Sequence, residues 1–355
     1  MKLYYPKSLL FQNSKSRSAL FPLLKVFLKS DGFVPDPAST TFNIPDQEMQ
    51  LVDQIEDADI LILPMSWDYY VNEGKVNVAQ EFILNMAETH KPVVIFMSGD
   101  FGVKMKDFKN VTVFRYSGYQ NKLPKSHVGL PAFIRDPLER YYNSETVMLK
   151  DYDAMPTVGF CGQASDSFSN RLKESAKVMV RNMRYYLRLS TLSPQTIEST
   201  SYNRYKLIKL VQKSRKLKSN FLIRSQYGAG IKHGRGATKV AEEYFENTNT
   251  SDYILCYRGA GNFSVRFYET LAMGRIPVYI NTDGFLPLAN QVDWNNHVVW
   301  IERSEIKSLT SKISDFHNAL GKDGFLEIQK RNRDLWKNEL NLWSFFYKAF
   351  QNIQK

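Results

Sequence analysis

Three side chains suited to a phosphorylated ligand follow two glycines within one short segment, YRGAGNFSVRFYETLAMGRIPVYI. Gly259 and Gly261 precede Ser264, Arg266 and Glu269. The glycines permit a tight turn and leave room for a ligand to approach the backbone. Ser264 is a favourable N-cap for the helix that the next residues predict. Because a helix N-terminus offers free N–H groups and partial positive charge, the segment predicts a phosphate site.

Arg266 and Glu269 extend this site to a nucleotide. Arg266 lies in the first helical turn, where it can donate charge-assisted hydrogen bonds to a diphosphate. Glu269, about one turn later, can accept hydrogen bonds from the paired hydroxyls of a ribose. The same residues are also compatible with a surface ion pair beside ordinary turn glycines, since the sequence holds neither a P-loop nor a complete dinucleotide fingerprint.

The elements that must position this segment have the pattern of a parallel α/β fold. Apolar runs typical of buried parallel strands lie at 58–66, 91–100, 111–118, 156–163, 219–225, 251–259, 274–281 and 297–302. Helical periodicity is present at 75–90, 169–189, 238–250 and 304–320, and one long aromatic helix is predicted through Trp336, Leu340, Trp343 and Tyr347. In the helix at 169–189, the residues sharing one side are Leu172, Ala176, Met179, Met183 and Leu187.

This alternation predicts two Rossmann-like, doubly wound domains with a cleft between them. We place the first domain at residues 1–150 and the second at 151–330, with the crossover in the irregular stretch 130–156. The length of 355 residues agrees with two domains. No apolar run approaches the ~20 residues of a membrane helix, and the N-terminus does not read as a signal peptide.

The segment 251–306 resembles the C-terminal half of exostosin-type glycosyltransferases, inverting enzymes of the GT-B fold. That family shows a strand, an Arg-Gly turn, the pattern Ser-x-Arg-Phe-x-Glu-x-Leu, Ile/Val-Pro-Val, a Leu-Pro-Phe segment and Asp/Asn-Trp. The matching residues are Arg258, Gly259, Ser264, Arg266, Phe267, Glu269, Leu271, Ile276, Pro277, Val278, Leu286, Pro287, Asp293, Trp294 and Asn295. Residues 58–100 are a weaker match, to the strands on the family's acceptor side.

The resemblance implies that the second domain binds a UDP- or GDP-linked sugar donor without a required cofactor. Arg266 would bind the diphosphate and Glu269 the ribose. The residues that would line the phosphate or add charge to it are Arg258, Gly259, Gly261, Asn262 and Ser264. The resemblance to GT-B enzymes also implies that the helix at 331–355 crosses back to the first domain, which would hold the acceptor.

One position departs from the family pattern. The family often has a basic residue just after the glycine that follows the first C-terminal strand. Here Gly162 is followed by Gln163 and Ala164, and the next arginine is Arg171. Arg171 or the nearby basic run would have to supply that phosphate contact. No metal ligand is expected, because arginines with a helix N-terminus can stabilise the leaving diphosphate.

An inverting transfer also needs a general base on the first domain. Asp100 ends the apolar run at 91–100, and Asp68 follows the run at 58–66, so both should lie on the ligand-facing edge of the sheet. Asp100 is our first choice and Asp68 the second. Glu73 and Asp136 are less favoured. Each of these acids is also suited to a turn or a helix cap.

The net charge of +11 is concentrated in residues 202–240, which contain no acid. The basic residues of this run are Arg204, Lys206, Lys209, Lys213, Arg215, Lys216, Lys218, Arg224, Lys232, Arg235 and Lys239. Such a run is suited to an acidic glycan, an anionic membrane surface or nucleic acid, and equally to a solvated helix face. For an enzyme of this family, nucleic acid is the partner we do not expect.

The leading hypothesis is therefore an inverting hexosyl- or uronosyltransferase that passes a sugar to a glycan or glycolipid in polysaccharide synthesis. Cys161 and Cys256 lie in apolar surroundings and form no disulfide framework, which favours a reducing compartment. Without the signal anchor of the family's Golgi members, we expect a cytoplasmic protein, peripheral at the inner face of the membrane. The rivals are a nucleic-acid or anionic-glycan binding protein that uses residues 202–240, and a retaining GT-B transferase.

Overall fold

Two parallel β-sheets covered by helices make up the chain. The structure, a computed structural model, describes residues 1–11, 17–28, 48–230 and 235–354. The first sheet has the order β2-β1-β3-β4-β5-β6. Its strands are β1 (Lys2–Tyr4), β2 (Gln50–Leu51), β3 (Ile60–Ile62), β4 (Val93–Met97), β5 (Val111–Arg115) and β6 (His127–Gly129). Strands β3 and β4 are wholly buried, which is why their sequences are continuous apolar runs.

The second sheet has the order β11-β10-β9-β7-β8. Its strands are β7 (Thr157–Gln163), β8 (Lys218–Arg224), β9 (Tyr253–Cys256), β10 (Ile276–Asn281) and β11 (Val299–Glu302). Every strand pair in both sheets is parallel. Each predicted strand is present, so the predicted α/β class with two doubly wound parallel sheets is confirmed.

Helices connect the strands and cover both sheets. They are α1 (Leu24–Phe27), α2 (Trp67–Asn72), α3 (Val76–Ala87), α4 (Pro137–Tyr142), α5 (Phe168–Tyr186), α6 (Thr200–Gln212), α7 (Arg235–Asn249), α8 (Val265–Ala272), α9 (Leu309–Glu339) and α10 (Leu342–Ile353). The stretch expected to be irregular contains α4, whose N-cap Asp136 accepts a hydrogen bond from the Leu138 N–H at 3.0 Å. This cap, together with proline at the first helical position, starts the helix.

The prediction of one continuous aromatic helix at the C-terminus is wrong. Helix α9 ends at Glu339, and α10 begins at Leu342. The break is stabilised by Asn341, whose side chain accepts a hydrogen bond from the Ser344 N–H at 2.9 Å. Further upstream, α9 is kinked at Gly321, whose φ of 59° only glycine adopts readily.

The break at Asn341 lets the chain return to the first domain. Helix α10 buries Trp343, Phe345, Phe346 and Phe350 in the same apolar cluster as the core of the first sheet. The rings of Phe346 and Phe114, on β5, meet edge to face with centroids 5.3 Å apart. Burial of such rings is a major stabilising term, of about 2 kcal/mol or more per side chain. The last helix therefore closes the first domain rather than the second.

Candidate active site

The strand order locates the ligand-binding edge of the second sheet. In an open parallel sheet, ligands bind beyond the carboxyl ends of the strands, where the direction of chain winding reverses. In the second sheet that reversal falls between β7 and β9, which are neighbours. Gly162 lies at the end of β7, and Arg258 follows β9 closely. The predicted donor segment therefore lies at the position where the fold itself favours a ligand.

The carboxyl ends of the first sheet meet the same region across an interdomain cleft. Ser117, after β5, accepts with its Oγ a hydrogen bond from the Asn262 N–H at 2.6 Å. The ring of Tyr116 stacks on Phe263 with centroids 5.7 Å apart. These contacts bring the loops after β5 and β9 together.

Asn262 joins the two domains. Its amide nitrogen donates to the carbonyls of Gly118 and Thr282, both at 2.9 Å, and its amide oxygen accepts from the Thr282 hydroxyl at 2.7 Å. The residue is 1% exposed. Its side-chain amide and, through Ser117, its backbone N–H are thus both engaged by the protein, so the structure leaves Asn262 no free N–H for the predicted donor contact.

Arg258 is likewise held inside the protein. It is 4% exposed, and it donates to the Tyr119 hydroxyl at 2.7 Å and to the Gln195 side-chain oxygen at 3.1 Å. The nearest carboxylate, on Glu198, lies 3.7 Å away. Because these partners come from both domains, Arg258 stabilises the domain interface through its hydrogen bonds. It also places a positive charge beneath the cleft.

Arg266, in the first turn of α8, reaches the end of β7. Its Nη2 donates to the Cys161 carbonyl at 2.7 Å, and its guanidinium lies over the Phe160 ring, 4.5 Å from the centroid. The buried Nε has no hydrogen-bond partner among the described residues. The side chain is partly exposed. Arg266 therefore retains donor capacity beside the end of β7.

Gly162 is required for this arrangement. Its φ is +153°, and a Cβ at this position would lie 2.8 Å from Arg266 Nη2. Any larger residue would displace the guanidinium and would strain the backbone. Gly162 is thus required for the observed position of the Arg266 side chain.

Ser264 is the N-cap residue of α8, as predicted, but its side chain makes no capping hydrogen bond. The turn before it is closed by the Gly259 N–H, which donates to the Phe263 carbonyl at 2.9 Å. The first N–H groups of a helix have no intrahelical acceptor. The Ser264 hydroxyl and the first N–H groups of α8 are therefore chemically suited to an anion.

Glu269 is tied to a neighbour that the sequence did not reveal. Its Oε2 accepts a hydrogen bond from the Tyr244 hydroxyl, on α7, at 2.6 Å. Burial raises the pKa of Glu269, against the opposing effects of that hydrogen bond and of Arg266. The residue as a whole is partly exposed, and the hydrogen bond from Tyr244 orients its carboxylate.

Asp100 lies directly against the donor segment. A Cβ added to Gly261 would lie 2.6 Å from the Asp100 carbonyl oxygen and 3.1 Å from the Asp100 Cβ. Burial raises the pKa of Asp100, and the charges of Arg181 and Arg258 partly oppose that shift. The residue remains exposed, and no hydrogen bond or ion pair engages its carboxylate within the described ranges. A free carboxylate with a raised pKa is suited to general-base work.

Arg181 is a site residue that the sequence pattern missed. It lies on α5, and its guanidinium covers the Phe101 ring at 3.7 Å from the centroid. Burial lowers its pKa, as does Arg258, whereas Asp100 raises it. The contact between Arg181 and Phe101 joins the second domain to the first, so no local sequence pattern could predict it.

Two of the other three candidate bases, Asp68 and Asp136, are engaged by protein groups. Asp68 accepts two hydrogen bonds from Ser98, from the N–H at 2.7 Å and from the hydroxyl at 2.5 Å, and so fixes the chain after β4. Asp136 caps α4 and forms a buried ion pair with Arg333 on α9. Glu73 is an exposed residue at the C-cap of α2. Asp100 alone among the four predicted acids lies against the donor segment with an unengaged carboxylate.

The basic run does not form one helix face. Its described residues are divided among α6, the turn at 213–217, β8 and α7, and Lys232 lies outside the described residues. Arg171 is exposed, and its guanidinium lies over the Tyr202 ring at 4.6 Å from the centroid. Arg204 donates to the Arg258 carbonyl at 2.8 Å. Arg204 thus links the run to the site more directly than Arg171 does.

Within the described part of the chain, no three His, Cys, Asp or Glu side chains come together as potential metal ligands. Cys161 and Cys256 are both buried and free. None of the described helices is both long enough and apolar enough to span a bilayer.

Local sequence similarity links the chain to two curated proteins. A probable glucuronosyltransferase of Oryza sativa subsp. japonica is 31% identical over 75 residues, which is 21% of this chain and 17% of that protein. An Exostosin-1 homolog of Caenorhabditis elegans is 25% identical over 111 residues, which is 31% of this chain and 26% of that protein. The matches thus span about a sixth to a quarter of these relatives. The predicted resemblance to exostosin-type glycosyltransferases is confirmed over that part of the chain.

No protein-family model matches the chain. Two solved structures that resemble it are those of TarM and of WaaG, a glycosyltransferase involved in lipopolysaccharide biosynthesis. TarM is 9% identical with a TM-score of 0.34, over 75% of this chain and 50% of TarM. WaaG is 12% identical with a TM-score of 0.34, over 99% of each chain. Such scores do not establish a common fold, so the GT-B assignment depends on the two doubly wound sheets described above.

Proposed function

We propose that this chain is an inverting glycosyltransferase that moves a sugar from a nucleotide-diphosphate donor to a glycan or glycolipid acceptor. One observation carries the proposal: Asp100, on the first domain, lies against the Gly259–Gly261 turn that leads into Ser264 and Arg266 on the second. A transferase of this kind needs its base and its diphosphate site on opposite walls of one cleft. The local similarity to a glucuronosyltransferase and an exostosin homolog supports the same reaction class.

Donor binding is assigned to the end of β7 and the start of α8. Arg266, aligned by the Cys161 carbonyl and the Phe160 ring, donates to the diphosphate. The Ser264 hydroxyl and the N–H groups of the first helical turn bind the same phosphates. Glu269, oriented by Tyr244, accepts from the ribose hydroxyls. UDP and GDP both carry this diphosphate and ribose, so these contacts do not distinguish uracil from guanine.

Asp100 is assigned the role of general base. Its carboxylate removes the proton from the acceptor hydroxyl, whose oxygen then attacks the anomeric carbon of the sugar from the face opposite the diphosphate. The bond from that carbon to the phosphate oxygen breaks, and the configuration at the anomeric carbon inverts. A carboxylate whose pKa is raised is a stronger base than one with the ordinary pKa.

Positive charge stabilises the diphosphate as it leaves. Arg266 and the partial charge of the α8 N-terminus act at short range, and the buried Arg258 adds to the local potential. In this proposal those groups, rather than a metal ion, balance the developing negative charge. Preorganised donors of this type are typically worth about 3 kcal/mol each in the transition state.

A donor screen that monitors nucleotide release from UDP- and GDP-sugars tests the assignment. We expect release with one donor class, a product of inverted anomeric configuration by NMR, and losses of at least about 100-fold in Arg266→Ala and Glu269→Ala. Near-normal turnover in both folded variants would refute the site, and a retained configuration would indicate the retaining alternative. Salt-sensitive binding of nucleic acid with no nucleotide binding would favour the rival binding function instead.

A further inference from the structure

Helix α5 carries an apolar face that no described residue covers. Its apolar residues recur at helical spacing, which in a globular protein usually marks the face that packs on the core. Here the same face points to solvent, and α5 has no buried residue. The residues of this α5 apolar stripe, with their exposed fractions, are Phe168 (73%), Leu172 (61%), Met179 (55%), Met183 (53%), Tyr186 (73%) and Leu187 (60%).

The opposite face of α5 contacts the rest of the protein through polar side chains. Glu174 accepts hydrogen bonds from the hydroxyls of Ser199 and Ser201, both at 2.7 Å. Asn182 exchanges two hydrogen bonds with the Gln195 backbone, at 2.7 and 2.9 Å. Because the polar face is fixed inward by these bonds, the outward position of the apolar stripe follows from the packing of the helix itself.

Positive charge runs along one edge of the apolar stripe. At 100° per residue, Lys173, Lys177 and Arg184 fall on adjacent positions beside the stripe, and all three are exposed. Arg188, just past the helix, is exposed as well. The one acid within α5 is Glu174, and it faces inward. The solvent side of the helix is therefore apolar and cationic, the combination found in helices that lie in a membrane interface.

We propose that α5 lies in the plane of an anionic lipid bilayer, with the α5 apolar stripe among the lipids and its basic edge against the headgroups. Anionic headgroups complement Lys173, Lys177 and Arg184. A second copy of the chain would bring the same cations against one another, which disfavours self-association through this face. The docking does not depend on the donor chemistry proposed above.

Docking through α5 would place the cleft next to the membrane. Arg181 on α5 stacks on Phe101, which adjoins Asp100. The Ser193 N–H, after the helix, donates to the Gly102 carbonyl at 2.9 Å. The helix is therefore joined directly to the wall of the cleft that holds the proposed base, and an acceptor presented at a bilayer surface would meet that wall.

Vesicle sedimentation with the full chain tests the apolar contribution. We expect the chain to bind vesicles of phosphatidylcholine with phosphatidylglycerol, and to bind phosphatidylcholine alone weakly. The double variant Met179→Ser/Met183→Ser should lower the partition coefficient by about tenfold or more, since two apolar chains no longer enter the lipid. The matched control is Val78→Ser/Leu84→Ser, which removes two apolar chains of α3 that are 47% and 59% exposed and should leave binding unchanged.

A second pair of variants tests the charge contribution. One Lys near an anionic surface is worth about 1 kcal/mol, so Lys173→Ser/Lys177→Ser should weaken binding about 30-fold. Lys330→Ser/Lys337→Ser makes the same change in net charge at exposed positions of α9 and should weaken binding far less. Equal losses in the two variants would overturn the proposal, because binding would then reflect overall charge.

Two further outcomes would also overturn it. The first is an absence of binding to anionic vesicles at low salt. The second is a concentration-dependent dimer in light scattering that Met179→Ser/Met183→Ser abolishes, which would assign the stripe to a second copy of the chain. Donor turnover in solution should be the same in wild type and in all four variants, so failure of the docking and failure of the transferase assignment are distinguishable.

Discussion

Replacement of Gly261 by alanine should separate the two walls of the cleft while leaving the donor site intact. The added Cβ would lie 2.6 Å from the Asp100 carbonyl oxygen and 3.0 Å from its Cα, both backbone atoms that cannot rotate away. An ordinary carbon–oxygen contact is closer to about 3.3 Å, so the turn and the Asp100 backbone must move apart by roughly 0.7 Å. A misplacement near 1 Å can cost about 100-fold in rate.

Gly259→Ala is the matched control. It makes the same chemical change two residues earlier in the same turn, where the nearest atom to the new Cβ would be the Phe263 carbonyl oxygen at 3.7 Å, an ordinary contact. We therefore expect Gly261→Ala to lower kcat by about 30- to 100-fold with little change in nucleotide affinity, and Gly259→Ala to stay near wild type.

Steady-state kinetics of transfer, combined with calorimetric titration of the nucleotide, measure the two effects separately. Thermal unfolding of both variants controls for a general loss of structure. If Gly261→Ala is folded and turns over at the wild-type rate, Asp100 does not act from its place against the turn, and the reasoning fails.

Further predictions test the base, the phosphate arginine, the domain junction and a buried histidine. Asp100→Asn should lower kcat by about 10²- to 10⁴-fold and abolish the acid limb of the pH–rate profile, where wild-type activity falls as the carboxylate is protonated. Gly162→Ala, which displaces the Arg266 guanidinium, should weaken nucleotide binding in calorimetry. Asn262→Ala, which strands two buried carbonyls, should lower the free energy of unfolding by about 3 kcal/mol in urea titrations. Burial, and secondarily Arg115, lowers the pKa of His127 to about 4. The unfolded chain therefore binds more protons below pH ~6.5, and about 3 kcal/mol of stability should be lost by pH 4 in wild type but not in His127→Gln.

The fold was largely readable from the sequence because its strongest signals are local. Strands buried on both faces, such as β4 and β9, must be continuous apolar runs. The glycine turn and Ser264 likewise predicted the start of α8, because turn and N-cap signals are local. The break between α9 and α10 also had a local signal, because Asn is a favourable N-cap residue and Asn341 caps α10 by accepting a hydrogen bond from the Ser344 N–H. The aromatic periodicity through Trp336 and Trp343 obscured this signal.

The composition of the site was less readable because its decisive contacts are between distant residues. The approach of Asp100 to Gly261 and the hydrogen bond from Tyr244 to Glu269 join different elements, and nothing near either residue encodes the partner. The same limit explains why the side chains of Arg258 and Asn262 were wrongly expected to be available to the donor. Their residue types suited a phosphate, but the interdomain packing engages their side chains with protein groups instead.

Calorimetric titration of wild type and Arg266→Ala with UDP and with GDP tests the central claim most directly. Charge-assisted hydrogen bonds from one arginine are worth about 1.5–3 kcal/mol, so the nucleotide that binds wild type should bind Arg266→Ala about 10- to 100-fold more weakly. Equal affinity of the two proteins, or no binding of either nucleotide to wild type, would contradict the assignment of this cleft to a sugar-nucleotide donor.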